Sequence, residues 1–293
     1  MALAAIGEPS LKAIGVNADA MKGELNFLQS MQMFGMLLGG FLWGMIGDKY
    51  GRLKVLFGSI ILYSLFTLLN AFVETPGQYA ACRFLAGLGL AGELGAGITL
   101  VSEQMKKEYR GLGPAILAGF GVLGAIVAVI IGKNYDWKTV YLVGGVLGFL
   151  LLFLRIGVVE SGLFKVSQHS KVSKGNFMII LRNKAYLKKF IFILLAGIPA
   201  WFVNGVMMQF SNYISASMGM YPLPDKGVVI VYFFIALSLG DVLAGFVSQW
   251  LKSRKKSIYI FLSVHLLSLV LFFTLAQKSV TLYYIAFAGF GLS

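Results

Sequence analysis

Residues Gly39–Lys54 read GGFLWGMIGDKYGRLK. An apolar, glycine-spaced run stops abruptly at Asp48, Lys49, Gly51, Arg52 and Lys54, and a second apolar run begins at Val55. Two long hydrophobic segments joined by a short, charged, glycine-containing turn predict a transmembrane hairpin whose loop lies in water. Gly35, Gly39, Gly40 and Gly44 place small residues along the first segment at helical spacing, which predicts close approach of a neighbouring backbone.

The rest of the chain follows the same pattern. Of 293 residues, 58% are hydrophobic and 13% charged, about half the charge of an average soluble domain. Mean hydropathy is +0.81. After a mixed stretch at 1–24, apolar runs fall at Leu25–Gly47, Val55–Phe72, Tyr79–Val101, Leu112–Gly132, Val140–Val159, Phe190–Tyr213, Val228–Leu251 and Ile258–Ala276. Each is long enough to cross ~30 Å of hydrocarbon as a helix. A ninth run starts at Thr281. Helices satisfy their own backbone in lipid, so the expected fold class is an all-α integral membrane protein.

The net charge of +13 is explained by where the charges sit. Eighteen Lys and Arg fall in loops on one side of the spans and six on the other, with Arg83 inside a span accounting for the last of the 25. The richer side is expected to be cytoplasmic. Basic charge is therefore an orientation signal, and no nucleic-acid partner is expected. Cys82, the one cysteine, excludes an internal disulfide. No phosphate loop, metal-spaced His/Cys set or nucleophile–base pair appears, so neither an enzyme nor a cofactor is expected.

A polar connection at 160–189 divides the chain into bundles at 1–159 and 190–293, and a repeat straddles it. Gly39, Gly44 and Lys54 recur as Gly240, Gly245 and Lys255, an offset of 201. Ala86–Ala91 recurs as Ala288–Ser293, an offset of 202. The second copy is degenerate, with Gln249 at the place of Asp48 and Ser253 at that of Arg52.

The order G-x-I-G-D-K-x-G-R, Gly44–Arg52, closely resembles the loop between the second and third helices of the major facilitator superfamily. Cys82–Gly89 resembles the Arg-plus-glycines motif of its fourth helix. Ser102-Glu103 with Arg110-Gly111, and Glu160-Ser161, are similar to further motifs of its sugar-porter-like members. The resemblance implies two six-helix bundles and alternating access for a small polar solute, sugar-like or an organic acid, favouring proton symport. It further implies a monomer in the cell membrane, with lipid around it. It also implies that Asp48, Arg52, Glu103, Arg110 and Glu160 form a gating charge cluster. Three departures stand out. Gly113-Pro114 sits at a helix start rather than mid-membrane, which disfavours antiport; Ala118 replaces a hexose-porter Gln, and the paired Gln of the seventh helix is absent.

Within the spans the ionisable residues are Arg83, Glu93, Asp241 and His265. Such groups usually face a cavity or a partner. Glu93, near mid-span, is the expected proton site, with a structural hydrogen-bond partner as its alternative. Asp241 reads as a repeat-related gate residue or as part of the proton or solute pathway. Arg83 reads as part of that pathway or as a side chain drawn along the helix to the near outer edge, and His265 as a packing residue. Asn204, Gln209 and Asn212, with Trp201 and Tyr213, offer polar and aromatic groups for a solute path, or for ties between helices. On the family frame the first helix and the last two to three helices are missing, so an incomplete reading frame is expected. A transporter is favoured over a membrane sensor or assembly partner on the same fold, because a sensor has no need of a gate.

Overall fold

The computed structural model describes residues 2–106, 108–158, 160–162, 164 and 174–293, without the side chains of 2–5 and 133. The elements are helices α1 (Ala2–Ala13), α2 (Ala18–Tyr50), α3 (Arg52–Leu69), α4 (Pro76–Gln104), α5 (Leu112–Val122), α6 (Gly124–Asn134) and α7 (Trp137–Leu154). After them come α8 (Met178–Arg182), α9 (Lys184–Phe202), α10 (Ser211–Ser217), α11 (Lys226–Trp250), α12 (Arg254–Thr274) and α13 (Val280–Leu292). Among the described residues, eight helical stretches are long and apolar enough to cross a membrane. The protein is an all-α, multi-pass membrane protein. Much of the polar connection at 160–189 lies outside the described residues.

Three details differ from expectation. Residues 2–13 and 18–24 are helical: α1 buries Ile6 and Leu11 against Leu25, Tyr79 and Trp137, and Asp19, Lys22 and Glu24 lie in the first turns of α2. Apolar spacing within the mixed stretch is enough for a short amphipathic helix. The fifth span ends at Leu154, five residues early, where Arg155 caps it. The sixth span is not a straight helix to Tyr213. Pro199 lies inside α9, and a π turn follows at Val203–Met207, where Met208 N donates to Val203 O at 2.9 Å. Proline removes a backbone donor from the ladder, and the chain adjusts by widening a turn.

Contacts gather the chain into two units, Met1–Met105 with Ile130–Phe177, and Lys106–Val129 with Met178–Ser293. In the first unit α2 and α3 pack against α4 and each other, and α7 packs on α3. The glycine stripe of α2 has two roles. A Cβ at Gly39 would lie 2.9 Å from Leu88 Cα, so this face meets the α4 backbone directly. Trp43 Nε1 donates to Leu88 O at 2.8 Å across the same seam. Gly40 and Gly44 instead face open space and line a cavity of about 210 Å³ beside Asp48.

In the second unit α11 is the central helix, packed by α5, α12 and α13. The repeat is expressed here as packing. A Cβ at Gly240, the counterpart of Gly39, would lie 3.0 Å from Leu292 Cα on α13. Phe272, Tyr283, Phe287 and Phe290 fill the space between α12 and α13 with tilted and edge-on rings.

Candidate functional site

The first unit holds two groups of functional side chains. One lies at the turn quoted at the outset. Gly51 has φ 108° and ψ 152°, a backbone conformation that side chains rarely adopt, and it both ends α2 and starts α3. Arg52 then folds back over the end of α2. Its Nη1 donates to Gly47 O at 2.8 Å, and its Nη2 meets Asp48 Oδ1 and Glu103 Oε1, both at 3.1 Å. Asp48 is 55% exposed, so solvent screens that contact; Arg52 and Glu103 are 15% and 18% exposed, and theirs is the stronger one. Ser161 Oγ donates to the other oxygen of Glu103, and Phe164 lays its ring under the guanidinium at 5.4 Å.

Glu160 plays a distinct part. Gly51 has no side chain with which to cap α3. Glu160 Oε2 accepts from Leu53 N at 3.1 Å and so supplies that cap from more than a hundred residues away. An anion is favoured there by the aligned peptide dipoles as well as by the free N–H groups. The missing Cβ of Gly51 leaves the room, since any Cβ there would collide with the Glu160 carboxylate. Arg110, the fifth member of the expected cluster, lies half-buried in the turn before α5 and belongs to the second unit.

The second group lies around Arg83 on α4. Arg83 is 5% exposed, held inside the bundle rather than drawn along the helix to water. Its guanidinium lies 5.7 Å from the Tyr141 ring. Tyr141 and Tyr79 share a hydrogen bond between hydroxyls, and Ser10 extends the chain to Tyr79 at 3.0 Å. Among the described residues, Nε and Nη2 of Arg83 have no hydrogen-bond partner, and neither has the buried Oε1 of Gln32. Gln32 is one helical turn away, since its backbone packs against Gly87.

Glu93, the expected proton site, is held by Arg155: Nη2 donates to Glu93 Oε1 at 2.8 Å. The two side chains are 19% and 25% exposed, and Tyr63 is near enough to interact with both. In the sequence Arg155 counts with the loop charges, although it falls within the Val140–Val159 run; its role is missed there, as are those of Ser161, Tyr79 and Tyr141. The pairs are 58 to 62 residues apart, and no local pattern signals them.

The other candidates lie in the second unit. Asn204 is in the π turn and Gln209 is buried just beyond it, at 6% exposure. Asn212 is exposed, and its backbone carbonyl accepts from Ser215. Asp241 is half-buried on α11 with no ion pair or hydrogen bond among the described residues. His265 Nδ1 meets Ser293 Oγ at 2.8 Å. No group of three His, Cys, Asp or Glu is placed to hold a metal among the described residues.

Apolar helices with a charged latch at one end and a buried arginine within define a membrane transport fold. The chain matches the Major Facilitator Superfamily over residues 8–293 and belongs to that family. It is 26% identical over 291 residues to a putative metabolite transport protein of Haemophilus influenzae, covering 95% of this chain and 71% of the relative. It is 35% identical over 144 residues to a benzoate transport protein of Acinetobacter baylyi, covering 46% of this chain and 31% of that one. The fold is similar to that of the proton:xylose symporter XylE bound to 6-bromo-6-deoxy-D-glucose, with a TM-score of 0.71 and 16% identity. That likeness covers 100% of this chain and 75% of the XylE chain.

Proposed function

We propose that this protein carries a small organic acid anion across the cell membrane by alternating access, in symport with protons, with the 160–189 connection on the cytoplasmic side. The observation that carries the reading is Arg83, a buried guanidinium with two N–H groups that nothing in the described structure accepts. Leaving donors of a buried charge unmet costs more than a surface donor would. A carboxylate matches the fork of a guanidinium with two parallel, charge-assisted bonds. Tyr141 puts an aromatic ring beside it, suited to the apolar body of such an acid. The benzoate transport protein among the relatives supports the same substrate class.

The charge latch at the α2–α3 turn supplies the second requirement, a set of contacts able to exist in one conformation and not in the other. Asp48, Arg52, Glu103 and Glu160 would lock one state of the first unit's charged end. Asn204, Gln209 and Asn212 would offer polar groups to the solute within the second unit.

Thermal denaturation of the purified protein against a panel of aromatic and aliphatic carboxylates, matched neutral amides and sugars tests the reading. A ligand that binds only the folded state raises the melting temperature. Carboxylates are expected to stabilise the protein and the amides to fail, and Arg83→Gln is expected to remove the difference. Stabilisation by sugars but not by any carboxylate would overturn the anion reading. No stabilisation by any solute, with the fold intact, would favour a membrane sensor or assembly partner instead.

A further inference from the structure

Glu93 and Asp241 are the two carboxyl groups deep within long spans, and the structure treats them oppositely. Glu93 has a guanidinium at 2.8 Å, a partner that offsets the cost of burying its charge. Asp241 lies nine residues before the end of α11, about 14 Å along the helix. It sits at the seam with α5, where a Cβ on Gly119 would be 3.5 Å from Asp241 Cβ and 2.8 Å from Ser238 O. Helix α5 thus approaches α11 closely at the position of Asp241, with only a glycine facing it.

The surrounding helices supply no countercharge either. Helix α5 carries no titratable side chain. On α13, Tyr283 donates to Ser211 O, and the Tyr284 hydroxyl accepts from Asp225 N near the opposite end of α11. On α12, His265 is engaged with Ser293 and the Phe290 ring, while Arg254, Lys255 and Lys256 belong to its exposed first turn and Tyr259 follows them. Tyr213 on α10, and Lys226 and Tyr232 on the first turns of α11, the latter stacked on Tyr284, are the remaining groups. From this arrangement we infer that Asp241, not Glu93, is the residue of this chain that takes up and releases a proton.

One Asp241 carboxylate oxygen binds a proton from water on one side of the membrane and returns it on the other. A neutral carboxyl can donate to a backbone carbonyl such as that of Ser238; a carboxylate cannot, so the α5–α11 seam has two states. A proton site serves the symport proposed above and rests on it for its purpose, but its occupancy is measured without any transport.

The test is infrared difference spectroscopy of the full chain reconstituted in lipid, titrated across the neutral pH range. The carbonyl stretch of a protonated carboxyl, identified by its shift in heavy water, is expected to titrate in the native protein and in Glu93→Gln, and to disappear in Asp241→Asn. Asp241→Glu keeps a carboxyl one methylene further out and is expected to shift the band without abolishing it. This variant keeps the test open if Asp241→Asn does not fold. A band lost in Glu93→Gln, a band unmoved in Asp241→Glu, or no titrating band in the native protein would each overturn the assignment. If the band behaves as expected and no carboxylate ligand is found, the proton site stands and the anion reading falls.

Discussion

The α2–α3 turn and the α11–α12 turn follow glycine-spaced helices 201 residues apart in the repeat, and they close in different ways. At the first, Gly51 takes φ 108° and Glu160 caps the next helix from a distance. Arg52 there gathers Asp48 and Glu103. At the second, Lys252 takes a left-handed φ of 49° with a side chain present, and the local Ser253 caps α12 through a long contact to Lys256 N. No acid stands near that turn in sequence, because Gln249 holds the place of Asp48. The helix packing has persisted in both copies while the end chemistry has diverged. Packing is needed wherever two backbones must touch in lipid; a charge cluster, on the function proposed above, is needed only where an end must open and close.

Four substitutions would break or sharpen this contrast. Gly51→Ala should have the largest effect, about 3 kcal/mol of destabilisation, from backbone strain together with collision against Glu160. It would be read as a fall in thermal midpoint in detergent. A loss no larger than that of a surface alanine would mean that the turn relaxes freely. Arg52→Ala should cost about 2 kcal/mol, because Glu103 keeps its burial and loses its cation. Double-mutant cycles with Glu103→Gln should recover most of that as coupling; additive losses would remove the latch.

At the second turn the effects should be smaller. Ser253→Ala should cost about 1 kcal/mol or less, the ordinary loss of an N-terminal serine cap. Lys252→Gly should stabilise by about 0.5 kcal/mol, as glycine accepts the left-handed position without strain. Equal responses at both turns would mean that the difference between them is cosmetic.

Much of the architecture was legible in the sequence because the bilayer sets a length scale. A run such as Val228–Leu251 is read as a span whatever it packs against. The Asp48–Arg52 contact was legible for a similar reason, being one helical turn in sequence and carried by a motif. What escaped was non-local or compensatory. Arg155 reaching Glu93 joins residues 62 apart, and a cationic end residue carries the same orientation signal whether or not it reaches inward. The π turn after Pro199 was hidden because hydropathy reports burial in lipid, not regularity of the ladder. Helix α1 was hidden because Glu8, Pro9 and Lys12 mask the apolar positions Ile6 and Leu11.

The central claim, carriage of an organic acid anion with protons, is tested most directly by uptake into proteoliposomes. Radiolabelled benzoate is the probe, with an inward proton gradient imposed and then collapsed. The account predicts accumulation above the equilibrium level while the gradient lasts, its loss on collapse, and at least a tenfold reduction in Arg83→Gln, the loss of roughly one charged hydrogen bond. Benzoate uptake indifferent to Arg83, or accumulation of a neutral sugar in its place, would contradict it.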